Sequence, residues 1–124
     1  MMSEFTNIPI SIVDDDAAVR DSLSLLLSIA GFSVSTYESG ARFLASLEDC
    51  TTNVLVVDMH MPGLSGVELT EQLRSRGCTI PVILISGNLD TATRDQGVRV
   101  GISRFLKKPF SGTLLIETIR EISN

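Results

Sequence analysis

The apolar positions of the chain recur with two alternating periods. Residues 8–13 form a short, mostly apolar run with Pro9 near its start, where a strand tolerates proline. Val19, Leu23, Leu26, Leu27 and Ala30 then recur at three- and four-residue spacing, which predicts a helix over 17–30 burying one face. Gly31 supplies its stop. Residues 32–37 alternate apolar and polar, as a half-exposed edge strand does. Ser39 can cap a second helix over about 40–48. Val54 to Val57 is continuously apolar, as expected of a central parallel strand covered on both faces. Ser65 and Glu68 have capping-box spacing and open a third helix that runs to about Arg76, before Gly77. Residues 80–85 and 103–106 predict the fourth and fifth strands. Between them, residues 91–100 predict only a weak helix. Thr91, Thr93 and Gly97 are poor helix formers and the apolar stripe is thin, so a short or mobile segment is expected. Ser111 caps a last helix, with Leu115, Ile119 and Ile122 as its buried stripe.

Five strands alternating with five helices predict an α/β fold: one parallel sheet with helices on both faces. Right-handed crossovers restrict the topology, and ligands of such sheets bind beyond the carboxyl ends of the strands. Those ends carry the chemistry of this chain. The first run ends in Asp14-Asp15-Asp16, the third in Asp58, and Lys108-Pro109 follows the fifth. A parallel arrangement gathers these acids and one ammonium in a single crevice.

Composition narrows the setting. A chain of 124 residues is one domain's worth, and it can bury about two-thirds of its unfolded surface. With 44% hydrophobic and 20% charged residues, it has the composition of an ordinary globule. No apolar run approaches the roughly 20 residues of a membrane span. The polar start, Met1 to Asn7, lacks the pattern of a signal peptide, which predicts a cytoplasmic protein. Cys50 and Cys78 are far apart, with no other Cys or His at ligand spacing, so two reduced thiols are expected. The net charge of −5 is unevenly spread. Residues 1–93 hold twelve acidic and four basic side chains, whereas residues 94–124 hold six basic and three acidic. The acidic total argues against nucleic acid as a direct partner. The basic last quarter suits either a docking face or a solvated surface.

Each chemical candidate has a plainer alternative. One aspartate after a strand is often a helix cap, and Asp16 suits that role or simple solvation. Asp14 and Asp15 exceed what one cap needs, and hard carboxylate ligands of this kind favour Mg2+. Asp58 either opens the turn at Met61-Pro62-Gly63 or is a buried acid compensated by a cation. Ser86 ends the fourth strand, where it is a turn serine or a donor to a phosphoryl oxygen. Lys107 reads as a surface lysine.

Four motifs carry a resemblance: Val13-Asp14-Asp15; the run Asp58-Met59-His60-Met61-Pro62-Gly63-Leu64-Ser65-Gly66-Val67-Glu68; Ile85-Ser86-Gly87; and Phe105-Leu106-Lys107-Lys108-Pro109-Phe110. In this order and spacing the whole chain resembles the receiver domain of two-component response regulators, closest in flavour to the FixJ-like branch. The resemblance implies a flavodoxin-like (CheY-like) doubly wound sheet of strand order 2-1-3-4-5, with five helices in three layers. It implies a single receiver domain over 1–124, without an output domain. Asp58 would accept a phosphoryl group from a kinase phosphohistidine. Asp15 would bind Mg2+, or Mn2+ in its place, directly, and Asp14 through water, with Asp58 and the His60 backbone carbonyl completing the metal shell. Lys108 would contact the phosphoryl oxygens, and its bond to Pro109 would be cis. Ser86 and Phe105 would form the switch pair. The His60 side chain would be either simply exposed or, beside the phosphorylation site with Asn88 opposite, a tuner of dephosphorylation. Partners implied are a histidine kinase or a histidine phosphotransfer protein. A homodimer or output partner would dock through helix 4, strand 5 and helix 5, where Arg94, Arg99 and Arg104 concentrate positive charge. Transcription control is the expected output if the chain is cut from a DNA-binding regulator.

Two other classes compete. A flavodoxin-like cofactor binder needs a loop rich in Gly, Ser or Thr after strand 1, and Asp14-Asp15-Asp16 is the opposite. An aspartyl-phosphate hydrolase needs a second acid two residues after Asp58, where His60 stands.

Overall fold

A computed structural model of the chain describes residues 7–49 and 51–123; Cys50 and the polar start thus lie outside or largely outside the described residues. Five parallel strands form one sheet: β1 (Pro9–Val13), β2 (Ser33–Tyr37), β3 (Val54–Asp58), β4 (Val82–Ser86) and β5 (Arg104–Lys107). Their order is β2-β1-β3-β4-β5, so β2 and β5 are the edges. The helices are α1 (Ala17–Ile29), α2 (Gly40–Ala45), α3 (Gly66–Ser75), α4 (Thr91–Val100) and α5 (Gly112–Ile122). A short 3-10 turn, Leu47–Asp49, follows α2, so the predicted second helix is broken in two.

Strand alternation divides the core into two faces. Ile10, Ile12, Val54, Val56, Ile83, Ile85 and Leu106 point toward Leu23 and Leu27 of α1 and Leu115 and Ile119 of α5. Val13, Leu55, Val57, Val82 and Leu84 point toward Phe43 of α2 and Leu69 and Leu73 of α3. The middle strands β3 and β4 are buried at every position, which explains their continuous apolar sequence. The result is three layers, α1 and α5 on one side and α2 to α4 on the other.

Caps decide where the helices begin. Asp16 accepts hydrogen bonds from the Ala18 and Val19 amides, so its side chain caps α1. Ser39 caps α2 and Ser111 caps α5. Ser65 and Glu68 complete a reciprocal capping box on α3.

The weak helix of the sequence is the exception. α4 is ten residues long, as long as α3, so it is not short. Three tertiary or terminal features supply what its propensity lacks. Asp90 accepts from the Thr93 amide at its start. Gly101 closes it in the left-handed conformation at φ 90°. Arg74 of α3 donates to the Gly101 carbonyl at 2.9 Å and to the Cys78 carbonyl at 3.0 Å, strapping the two helices together.

Candidate functional site

The crevice forms where the sheet changes direction. β1 and β3 are central neighbours, and their chains leave toward opposite faces, which opens a gap at their carboxyl ends. Asp14 follows β1 and Asp58 ends β3, so both are carried on rigid strands. Asp14 is 3% exposed and Asp58 7%, whereas Asp15 faces solvent. One carboxylate oxygen from each of the three lies within 4.8 Å of the others.

Backbone contacts hold this geometry. The Asp14 amide donates to the Tyr37 carbonyl, and Arg20 reaches back from α1 to donate to the Asp14 carbonyl at 2.7 Å. The Asp16 amide donates to Asp14 Oδ1 at 2.9 Å. After Asp58, the Met59 amide donates to the Ile85 carbonyl of β4. Lys108 is placed by its own amide, which donates to the Ser86 carbonyl at 2.9 Å. Its Nζ lies 2.8 Å from Asp58 Oδ1. The peptide bond from Lys108 to Pro109 is cis.

The charges feel this crowding. Burial pushes the Asp14 carboxyl above its ordinary value; the nearby Asp58 charge adds to this, while the Asp16 amide and Lys108 oppose it. Burial works against the Lys108 charge too. The hydrogen bond and charge of Asp58, with Asp14 and Asp15 behind it, outweigh burial and hold the ammonium above its ordinary value. One ammonium thus faces three carboxylates. A set of hard oxygen ligands around uncompensated negative charge fits a divalent cation such as Mg2+ or Mn2+.

The sign of the Asp14 shift gives a test. Its folded carboxyl holds a proton more tightly than the unfolded one, so the metal-free fold is favoured below the unfolded value. That advantage is lost as pH rises through the folded value. At neutral pH the buried charge is a burden. Asp14→Asn keeps the acceptor for the Asp16 amide and removes the charge. Its metal-free thermal midpoint should rise, while the stabilisation by added Mg2+ shrinks. Thermal melts with and without Mg2+ check both; a lower metal-free midpoint contradicts the account.

The remaining predicted residues fall around the crevice rather than in it. Ser86 is fully buried at the end of β4. Its hydroxyl accepts from the Asn88 amide and donates to the Asn88 carbonyl, both at 3.1 Å, so it is turned to the β4–α4 loop. Phe105 lies half-buried on β5, beside Leu84 in register and on the face of α4. His60 is exposed in the turn after β3. Asp16 and the exposed Lys107 stay out of the site. Arg104 is paired with Glu121 of α5 through a 2.9 Å bond from Nε, so the basic last quarter is partly neutralised within itself.

Sequence reasoning missed Gly66. A side-chain carbon there would stand 2.8 Å from the Asp58 carbonyl oxygen and closer still to Leu84. The Gly66 amide donates to the Met59 carbonyl at 3.1 Å. The first turn of α3 is therefore pressed directly on the backbone that carries Asp58. A glycine at the first helical position was the available signal.

Comparison with known proteins agrees with this geometry. The family model of the response regulator receiver domain matches residues 10–120. The transcriptional regulatory protein FixJ of Rhizobium meliloti (strain 1021) is 39% identical over 118 residues, covering 95% of this chain and 58% of that protein. The transcriptional regulatory protein TdiR of Thauera aromatica is 37% identical over 108 residues, covering 87% of this chain and 48% of that protein. This chain spans about half the length of the curated relatives it matches. The solved structure of FixJ-N has a TM-score of 0.87 at 38% identity, covering 98% of this chain and 95% of that one. The Vibrio cholerae chemotaxis protein CheY4 has a TM-score of 0.89 at 25% identity, covering 94% and 99%. Receiver domains are phosphoacceptor switches that bind Mg2+ at an acidic cluster and interact with histidine kinases. With its CheY-like sheet and its acids at the strand ends, the chain belongs to the response regulator receiver domain family of two-component signal transduction.

Proposed function

We propose that Asp58 is the phosphoacceptor of this receiver. The observation that carries this reading is the Lys108 ammonium 2.8 Å from Asp58 Oδ1, at the mouth of the three-carboxylate cluster. An Asp58 oxygen attacks the phosphorus of a phosphohistidine on a histidine kinase or histidine phosphotransfer protein. The P–N bond breaks as the new P–O bond forms, and the imidazole leaves with the bonding pair. Asp14, Asp15, Asp58 and the His60 carbonyl are the proposed metal ligands. Mg2+ bound there would neutralise charge on the phosphoryl oxygens and orient them for in-line transfer. Lys108 contributes a positive charge of its own beside Asp58. Catalysis here is positioning and electrostatics, so the chain acts as a switch that assists its own modification.

Ser86 and Phe105 are the proposed readout. The Ser86 hydroxyl leaves Asn88 for a phosphoryl oxygen, and the Phe105 ring turns into the space behind it. The surface of α4, β5 and α5 changes with them, where a second copy, an output domain or another partner docks. The transcriptional regulators among the relatives support a transcriptional output, reached in the cytoplasm through a segment other than this domain. The test is incubation with Mg2+ and acetyl phosphate followed by intact mass. A single phosphoryl adduct that forms with Mg2+ and is lost with EDTA supports the reading. Equal labelling in EDTA overturns it.

A further inference from the structure

Gly97 is a poor choice for the middle of a helix, yet it is the one buried residue of α4. A side-chain carbon at Gly97 would stand 2.5 Å from Phe105 Cζ and closer still to Cε1. The Phe105 ring therefore lies directly on the bare backbone of α4. Three residues earlier, on the same face of the helix, Arg94 covers the ring, with its guanidinium carbon 5.5 Å from the ring centroid. Ile102 closes the remaining side, 3.3 Å from the same missing carbon.

We infer that Arg94 and Gly97 form a seat for the Phe105 ring, and that this seat sets how readily the unphosphorylated chain switches. The inference rests on the reading of Phe105 as the aromatic of the switch pair. The ring cannot turn inward without leaving both the guanidinium and the glycine slot. Every interaction it has with them favours the resting arrangement and opposes the turned one, as a ligand binding only one of two states does. Ser86 holds the other half of the resting arrangement through Asn88, at the entrance to the same helix. Arg94 and Gly97 touch neither the crevice nor the phosphoryl group; they are positioning residues acting through Phe105.

The test is fluorine NMR of the chain carrying 4-fluorophenylalanine at position 105 alone. The resonance is recorded free and with Mg2+ and beryllium fluoride as a mimic of the phosphoryl group. The wild-type resonance should move on loading. Gly97→Ala fills the slot, and its free resonance should lie at or near the loaded wild-type position, a population shift of tenfold or more. Arg94→Ala, an exposed and structurally mild change, should shift the free population roughly two- to fivefold in the same direction. Arg94→Lys, which keeps the charge, should recover part of that shift, while Arg99→Ala, also on α4, should produce none. If loading moves the wild-type resonance but Arg94→Ala and Gly97→Ala leave the free resonance in place, the seat is overturned and the switch pair stands. An equal shift from Arg99→Ala also overturns it. If beryllium fluoride binds at Asp58 with Mg2+ and the wild-type resonance stays still, the readout through Phe105 fails and the seat with it.

Discussion

Asp58→Asn yields a folded chain that acquires no phosphoryl adduct from acetyl phosphate and Mg2+. The substitution keeps the shape of the side chain and its place at the end of β3, where the flanking Val57 is fully buried and the Met59 amide is bonded to β4. Nothing in that packing depends on the charge. The nucleophile, however, is lost, because an amide oxygen cannot form a stable bond to phosphorus. The rate should fall by more than about 10^3-fold, a barrier increase of roughly 4 kcal/mol or more. Removing the charge also turns the 2.8 Å ion pair of Lys108 into a neutral hydrogen bond to an amide oxygen, so the pKa of the ammonium should fall. Intact mass reads the adduct, and peptide mapping locates it. A comparable adduct in the variant would place the acceptor elsewhere in the crevice. Sustained turnover of a chromogenic phosphoester by the wild type would instead favour a phosphohydrolase.

Gly66→Ala should damage both the fold and the reaction. The added carbon meets the Asp58 carbonyl oxygen at 2.8 Å and the Met59 Cα at 3.2 Å. Both are backbone and cannot swing aside as a flexible side chain does. Overpacking of this kind costs about 1–3 kcal/mol. The gain in helix propensity from Gly to Ala is at most about 1 kcal/mol and is smaller at a first helical position. The thermal midpoint should drop by roughly 5–10 °C. Relief requires α3 to back away or the chain after β3 to shift, and either moves Asp58 relative to Lys108. A misplacement near 1 Å costs on the order of 10^2-fold in rate. Phosphorylation with acetyl phosphate at a temperature where the variant is fully folded separates the two effects. A variant with wild-type midpoint and rate would show that the helix is not pressed on the site as the geometry requires.

The order of the elements was legible because their periods differ. β3 and β4 are buried on both faces, so their sequences are continuous runs of Val, Leu and Ile. α5 is covered on one face, so Leu115 and Ile119 recur at helical spacing. Capping residues marked the helix starts because a side chain acts there on amides within three residues of itself. The site was legible for a related reason. In a parallel sheet every strand end meets the same edge, so acids that follow strands in sequence gather in space.

What could not be read is what depends on contacts between distant segments. α4 appeared weak, since Thr91, Thr93 and Gly97 are poor helix formers. Arg74, on another helix, straps its end at the Gly101 carbonyl, a contact that no spacing along the chain announces. Gly97 looked like a defect and is a slot for an aromatic ring.

By itself, then, the sequence determined the periodic elements, their capped ends and the gathering of Asp14, Asp15, Asp58 and Lys108 at one edge. Each of these follows from local chemistry repeated along a chain. Only the tertiary structure decided that Gly66 and Gly97 are places where backbone meets backbone or ring. It also decided that Arg94 lies over Phe105. Those facts depend on which surfaces meet across the fold, and close packing resolves them at distances that no spacing along the chain encodes.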